Sequence, residues 1–157
     1  MELLQTVRNP KIPSKKVIDL ATWTSYSGAI PTDDTVPQIT EGTEIFSQSI
    51  SLKSPDSKVL IKVALQGAVD TANSFVILAA FRNNVANAVG TSPLRFPSIE
   101  LNQTELVCLD TPATQGSVTY SIRLGVSSGL FFSNGNSGSR ILGGASKCTF
   151  VLEEILP

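Results

Sequence analysis

Residues 43–66 read TEIFSQSISLKSPDSKVLIKVALQ, and this stretch decides the fold. Apolar side chains recur at every second position through most of 43–53 and throughout 58–66, which is the period of a strand with one buried face. Between the two runs lies Ser54-Pro55-Asp56-Ser57, a combination of residues that favours a turn. The sequence therefore predicts two strands joined as a β-hairpin.

The same period of two continues along the rest of the chain. Further strands are predicted at 74–82, 85–91, 104–110, 117–125 and 147–155, with a short one at 129–132. Segments rich in Asn, Gly, Ser and Pro separate them, and no helical pattern of useful length interrupts the series. We therefore predict an all-β chain that folds as an antiparallel β-sandwich of about eight strands, for which a jelly roll is the natural arrangement.

Two of the predicted strands carry apolar side chains on both faces. The strand at 74–82 reads SFVILAAFR, and the strand at 147–155 reads KCTFVLEEI. A sandwich buries one face of each strand, so the second face needs another cover. We expect symmetric self-association to supply that cover, and the pattern alone is compatible with a dimer or a trimer.

Composition narrows the class of function. The 157 residues include no histidine, 16% are charged, and the net charge is −1. Because there is no basic stripe to neutralise a phosphate backbone, nucleic acid is not an expected partner. Ser-His-Asp and Cys-His catalytic pairs and histidine-based metal sites are excluded by composition. We expect a protein that is not an enzyme and that uses no cofactor or metal.

The sequence contains two pairs of adjacent carboxylates, and neither is expected to act as a catalytic pair. Asp33 and Asp34 lie in a proline-bracketed turn, where aspartate is expected to bond the local backbone. Glu153 and Glu154 are neighbours on a predicted strand, so their side chains point to opposite faces. Neither pair is expected to converge on one substrate bond, as hydrolysis by two carboxylates requires.

The sequence also bears on compartment and on cysteine chemistry. No apolar run approaches the length of a membrane helix, so membrane insertion is not expected. The first residues lack the apolar segment of a signal peptide, which favours synthesis in a cytoplasm. Cys108 and Cys148 each lie in an apolar strand pattern, and two buried thiols are favoured over a disulfide.

The N-terminal residues differ from the rest of the chain. They contain a local excess of basic residues, two prolines and no clean period. We predict a connector or edge segment at 1–28 and one β-sandwich domain at 29–157, because the first segment is too short to fold alone. Trp23, the single tryptophan, is expected to cover an open end of the core or to pack on a neighbouring chain.

Two segments frame the predicted sandwich. Residues 30–45 read IPTDDTVPQITEGTEI, and residues 139–155 read SRILGGASKCTFVLEEI. Together they resemble the C-terminal head domain of tailed-bacteriophage tail fibres, in which an Ile-Pro-x-Asp-Asp-Thr loop feeds the first strand and a Gly-Gly segment precedes a closing Glu-Glu-Ile strand. The resemblance covers about residues 28–157.

The resemblance implies a function and a set of partners. Such heads are β-sandwiches that form parallel homotrimers at the fibre tip and attach the virion to a bacterial cell-surface receptor, a surface polysaccharide or an outer-membrane receptor. The implied partners are therefore two further copies of the chain, the receptor and the remainder of the tail fibre. The implied location is the tail fibre of the virion, after synthesis in the cytoplasm of the host bacterium.

Residues of the two framing segments are expected to have structural or subunit-contact roles: Asp33, Asp34, Arg140, Gly143, Gly144 and Glu154. The aspartates can bond amides of their own turn, and the glycines permit a positive φ or a close approach of the backbone. Arg140 is expected to pair with a carboxylate across a subunit boundary, with Asp33, Asp34 and Glu154 as the candidates.

Polar loops on a rigid sandwich are the expected receptor-contact surface. The candidate contact residues are Asn83, Asn84, Asn87, Arg95, Phe96, Thr114, Gln115, Asn134 and Asn136. Two other functions remain open: a structural virion or fibre-trimerisation module that never touches the host, and a depolymerase of capsular polysaccharide. The depolymerase would need a cleft with two convergent carboxylates.

Overall fold

A computed structural model describes residues 11–157, which form ten strands and one short 3-10 turn at Leu142–Gly144. The strands are β1 (Lys15–Leu20), β2 (Thr24–Tyr26), β3 (Thr43–Leu52), β4 (Lys58–Val69), β5 (Ser74–Arg82), β6 (Gly90–Phe96), β7 (Asn102–Asp110), β8 (Gly116–Val126), β9 (Phe131–Ser133) and β10 (Cys148–Ile155). None of the described residues belongs to a helix long and apolar enough to cross a membrane.

The eight longer strands pair in a nested order. β1 pairs with β10, β3 with β8, β4 with β7, and β5 with β6, always antiparallel. This is the pairing obtained when one long hairpin folds over on itself, which defines a jelly roll. Sheet I has the order β1-β10-β4-β7, extended by the short strands β9 and β2, and sheet II has the order β3-β8-β5-β6. The prediction of an antiparallel, jelly-roll sandwich is confirmed.

The core lies between the inner faces of the two sheets. β4 contributes Val59, Ile61, Val63 and Leu65, the alternating set that the sequence singles out, and each is almost completely buried. Aromatic rings join the layers: the Phe46 ring in sheet II lies 5.5 Å from the Phe150 ring in sheet I. Burial of these side chains is the main source of stability in such a layered fold.

The prediction that β3 and β4 pair with each other as a hairpin is wrong. Both strands exist, but β3 belongs to sheet II and β4 to sheet I, so residues 53–57 carry the chain from one sheet to the other. A buried side chain from β10 fixes this crossing, because Glu154 accepts hydrogen bonds from the Lys53 amide and the Ser57 hydroxyl. The predicted turn at 54–57 exists, but turn residues do not specify whether a chain reverses within one sheet or crosses to another.

The strand predicted at 85–91 is displaced. Residues 83–89 form a turn and a connection, and the strand begins at Gly90 and includes Pro93. A proline has no amide hydrogen to donate, so it is tolerated in a strand chiefly at a sheet edge. β6 is such an edge strand, because it pairs with β5 alone.

The second apolar face of β5 is covered by the chain itself. Ile77, Ala79 and Phe81 point away from the main core and form a separate buried cluster with Ile30, against which Ile39 packs. Both isoleucines belong to the loop at 29–42, so this strand needs no partner subunit to cover it. The prediction that a partner subunit covers the second face of 74–82 is therefore wrong. On the outer side of β10, Ile155 lies at the surface.

Residues 11–28 supply strands of sheet I, and the first ten residues lie outside the described part of the chain. β1 is an edge strand paired with β10, and Trp23 stacks on Phe132 at a ring distance of 5.9 Å, with its indole N–H donating to the Asn136 carbonyl. The division of the chain at residue 28 stays a prediction.

Both cysteines are free thiols; Cys148 is buried, whereas Cys108 is only half-buried.

Candidate ligand-binding surface

The loop at 29–42 is clamped onto the outer face of sheet II. The Arg123 guanidinium, on β8, donates to the Glu41 carbonyl and to the Gly42 carbonyl, the latter at 2.9 Å. Ile30 packs directly over Gly125, where an added Cβ would lie 2.5 Å from the Ile30 nitrogen. Only glycine at position 125 therefore allows the loop to lie this close to β8.

The tip of this loop is stiffened by its own hydrogen bonds. Asp33 accepts from the Thr35 amide at 2.9 Å and from the Thr35 hydroxyl, the arrangement expected of an aspartate in a turn. These bonds hold the pKa of the exposed Asp33 carboxyl below its ordinary value. The Gln38 side-chain amide donates to Asn87 at 3.0 Å, which ties the loop to the turn before β6. Prolines at 31 and 37 further restrict the backbone.

A groove of about 400 Å³ runs between the loop tip and the β5–β6 edge of sheet II. We call it the Phe75 groove, and its lining comprises Phe75, Ile77, Thr91 and Pro93 with Pro31, Thr32, Asp33, Thr35 and Pro37 of the loop. A second hollow, of about 290 Å³, shares Asp33, Thr35, Pro37 and Thr91 with it and adds Asp34. The two hollows therefore adjoin along the same rigid loop.

A third hollow, of about 260 Å³, lies on the same outer face and is mainly polar. We call it the Asn84 hollow; it is lined by Ile39, Glu44, Ser47, Asn83, Asn84, Thr119 and Ser121. Asn83 has a positive φ of 50° and accepts the Thr119 amide with its side-chain oxygen, so its conformation is fixed by β8. Asn84 follows it at the exposed end of the turn. Two of the sequence-predicted contact residues thus meet the hydroxyls of two neighbouring strands here.

Most of the remaining predicted contact residues are exposed but dispersed. Asn87, Arg95, Thr114, Gln115 and Asn136 are at the surface. Asn87 is bonded to Gln38, Arg95 donates to Asn73 at 2.9 Å, and the Asn136 side chain accepts from amides of its own turn. Thr114 and Gln115 lie in the β7–β8 loop and line none of the three hollows.

Two of the predicted receptor-contact residues are buried, so the prediction that they contact a receptor is wrong. Phe96 is fully buried, with its ring edge-on to Phe131 at 6.0 Å, so it belongs to the core. Asn134 is also fully buried, and its amide nitrogen donates to the Leu20 and Thr22 carbonyls. A turn residue can be polar because it satisfies the backbone of a neighbouring segment, which is what Asn134 does.

The closing segment places its motif residues away from the three hollows. Gly143 and Gly144 have φ values of 59° and 89°, a conformation that favours glycine. Among residues 11–157 the ion pairs are Lys15–Glu153, Arg82–Asp110 and Lys147–Asp19, so Arg140 takes part in none. Its side chain instead lies over Gly144.

Glu154 is not available as a partner for Arg140. Its side chain is 2% exposed, and its carboxylate accepts the Ser14 amide at 2.9 Å, the Ser57 hydroxyl at 2.7 Å and the Lys53 amide. Burial opposes ionisation, but these hydrogen bonds outweigh it and hold the pKa of Glu154 below its ordinary value. The residue therefore has an internal structural role, and a pairing across subunits through Glu154 is ruled out.

Sequence reasoning missed a polar cluster at one end of the core. The Tyr120 hydroxyl donates to Asp110 at 2.7 Å, and the Arg82 guanidinium pairs with the same carboxylate. Burial and the neighbouring carboxylate both raise the pKa of Tyr120. The same two causes raise the pKa of the Cys108 thiol to about 11, which leaves it protonated and unreactive at neutral pH. The sequence signal is the tyrosine itself, because a tyrosine in a buried strand usually has a hydrogen-bond partner for its hydroxyl.

Within residues 11–157 no group of three or more cysteine, aspartate or glutamate side chains is placed to hold a metal ion. What the surface offers is a rigid sheet face with hydroxyl, amide, carboxylate and apolar groups in shallow hollows. Such an arrangement can bind a polar ligand by hydrogen bonds and shape.

No protein-family model matches the chain, and no curated protein matches it either. Among solved structures, the chain is similar to one in the structure of infectious bursal disease virus, Gx strain, with a TM-score of 0.45 and 15% sequence identity. The match covers 94% of this chain and 38% of the viral chain, so this chain spans well under half of that protein's length. The jelly-roll assignment follows from the strand order and does not depend on this likeness.

Proposed function

We propose that this protein is a non-enzymatic adhesion module of a virion, the head of a bacteriophage tail fibre, which binds a receptor on the bacterial cell surface. The observation that carries the proposal is the Asn84 hollow, where side chains from β3, β8 and the 83–84 turn converge on the outside of sheet II. The resemblance of the two framing segments to tail-fibre heads supplies the biological setting. Synthesis in the host cytoplasm and incorporation into the tail fibre are parts of the same proposal.

The chemistry of the hollow favours binding over hydrolysis. Its lining includes the exposed Ser47 hydroxyl and Asn84 amide, groups that both donate and accept hydrogen bonds. Ser121 beneath them is buried, and the Thr119 hydroxyl is bonded to Ser49 at 2.7 Å but keeps further acceptor capacity. Glu44 is the single carboxylate in the lining, whereas hydrolysis of a glycosidic bond by the usual route needs two. A fixed set of polar groups on a rigid sheet pays little ordering entropy on binding, which suits an adhesion site.

Cell staining tests the proposal. Fluorescently labelled protein is applied to a panel of Gram-negative and Gram-positive strains, and flow cytometry measures the bound label. Ser47→Tyr places a ring over the Asn84 hollow and should reduce staining of any positive strain to background. The matched control is Ser51→Tyr, an exposed position on the same face of β3 about 13 Å further along the strand.

The outcomes separate the competing functions. Staining that survives Ser47→Tyr, or a panel in which no strain is stained, contradicts the adhesion proposal. Release of reducing ends from purified capsular polysaccharide would instead establish the depolymerase. A stable oligomer that stains no strain would favour the structural module.

The structural module is the second candidate, and the outer face of sheet I favours it. Val17, Val107 and Leu109 are 57%, 62% and 49% exposed. In the strand register Val17 pairs with Val151, and Leu60 pairs with Leu109. Lys62 lies between Val151 and Val107, and Glu153 lies beside Leu60, so the apolar side chains form small clusters interrupted by charged residues. Exposed apolar clusters rimmed by polar residues are found at protein–protein interfaces. We infer that a homotrimer forms through this face, an arrangement compatible with either function.

A further inference from the structure

We propose that the Phe75 groove binds a neutral hexopyranose residue. The inference rests on the proposed adhesion function for its biological setting, but it concerns a different part of the surface from the Asn84 hollow. Phe75 and Thr91 carry it, and the sequence pattern does not mark Phe75 for binding.

The floor of the groove is an aromatic and aliphatic surface. Phe75 and Ile77 lie on the outer face of β5, and Phe75 remains half-buried beside the covered cluster under the loop. Pro93 of the edge strand and Pro31 of the loop border the same floor. One face of a pyranose ring consists of C–H groups, which pack favourably on an aromatic side chain. The floor thus supplies the apolar part of a saccharide site.

The rim of the groove supplies polar partners at fixed positions. One oxygen of the Asp33 carboxylate is occupied by Thr35, and its second oxygen accepts none of the hydrogen bonds formed among residues 11–157. An ionised carboxylate accepts strong, charge-assisted bonds from sugar hydroxyls. Thr32 and Thr91 add hydroxyls from opposite sides of the groove. The rim is therefore suited to neighbouring hydroxyls on one ring.

The charge of the groove selects among saccharides. Neither lysine nor arginine lines it, and Asp34 adds a second carboxylate in the adjoining hollow. Arg95 pairs with Phe75 in the register of β5 and β6, but its guanidinium bonds Asn73 instead. An acidic sugar would bring its own carboxylate to a negative site without a cation to balance it. We therefore expect neutral hexoses to bind and uronic acids to be rejected.

The size of the groove agrees with this ligand. Its volume of about 400 Å³ lies within the range of pockets that bind small molecules. The clamped loop forms one wall and the edge strand the other, so the site is formed before the ligand arrives. Affinity for a single ring in so open a site should fall in the millimolar range, and a polyvalent oligomer would raise it.

Saturation-transfer NMR on the full chain tests the inference. The probes are methyl α-D-glucopyranoside, methyl α-D-mannopyranoside, methyl α-D-galactopyranoside and methyl α-D-glucuronide. At least one neutral glycoside should receive saturation, and the glucuronide should not. Phe75→Leu keeps the apolar volume but removes the ring, so it should weaken binding about tenfold.

A second variant blocks the groove without changing Phe75, in case Phe75→Leu destabilises the fold. Thr91→Trp fills the groove from an exposed edge-strand position and should abolish the signal, whereas Thr111→Trp, at an exposed position in the β7–β8 loop, should preserve it. Absence of saturation with all three neutral glycosides, equal binding of the glucuronide, or binding that survives Thr91→Trp would overturn the inference.

The two sets of variants distinguish a failure of saccharide binding in the Phe75 groove from a failure of adhesion. Cell staining that is lost in Ser47→Tyr but kept in Thr91→Trp would leave adhesion standing while removing the saccharide groove from it. Glycoside binding that is lost in Thr91→Trp, with no strain stained, would establish the groove and contradict adhesion.

Discussion

Glu154 connects three distant segments through one carboxylate. It lies near the end of β10, and its donors come from Ser14 before β1 and from Lys53 and Ser57 in the crossing between the sheets. The Glu154 amide also donates to the Ser14 carbonyl. A buried carboxylate is tolerated only when hydrogen bonds replace its hydration, and here three donors do so. The residue therefore fixes both the closing strand and the β3–β4 crossing.

Glu154→Gln should lower the free energy of unfolding by about 2 kcal/mol, because hydrogen bonds to a charged group are replaced by weaker ones and one amide group is left facing donors. Urea denaturation at neutral pH measures the change. Glu153→Gln is the matched control on the neighbouring residue; its pair with Lys15 is largely exposed and should contribute at most about 1 kcal/mol. Equal losses in the two variants would contradict this role.

The same carboxylate predicts a dependence of stability on pH. The pKa of Glu154 in the folded state lies below its ordinary value of 4.5, so its contribution is fully present above that value. As the pH falls through the folded-state pKa, protonation removes the contribution. The difference in unfolding free energy between the parent protein and Glu154→Gln should therefore shrink below about pH 4.5. A difference that stays constant down to acidic pH would show that the charge is not responsible.

At the scale of elements, β5 shows what a strand pattern can and cannot specify. Its apolar residues on both faces correctly predict burial on both sides. The pattern does not say what covers the second side, because a loop of the same chain and a partner subunit would leave the same signature. The cover is the 29–42 loop, and its position depends on Gly125 and Arg123, which lie far away in the sequence. Such non-local contacts are absent from any local pattern.

Ile30→Ala should lower the free energy of unfolding by about 3 kcal/mol, because it removes a fully buried side chain from the cluster over β5. Urea denaturation again gives the value. Val36→Ala, in the same loop but with its side chain 51% exposed, should change stability by about 0.5 kcal/mol or less. If the outer face of β5 were covered by a partner subunit instead, Ile30→Ala would behave like Val36→Ala.

At the scale of the whole molecule, the architecture was more predictable than the sites. Alternating patterns located most of the strands, and their number favoured a jelly roll. The pairing of β3 with β8 and of β4 with β10 was not predictable, because turn chemistry at 53–57 is the same for a hairpin and for a crossing. Asn134 and Phe96 are predicted at the surface, but segments distant in the sequence bury both of them. The groove under the loop required Phe75 to be brought beside Asp33, which only the tertiary fold does.

Exposed apolar side chains on the outer face of sheet I are the expected site of self-association. If the chain self-associates there, the double variant Val107→Lys/Leu109→Lys should sediment as a monomer, because each lysine would have to lose its hydration at the interface. The parent protein at low micromolar concentration should sediment with three times the mass of one chain. Val85→Lys, at a similarly exposed apolar position in the 83–89 turn, is the control and should remain trimeric. A monomeric parent protein would exclude self-association through any face, and a trimer that survives the double variant would move the interface away from sheet I.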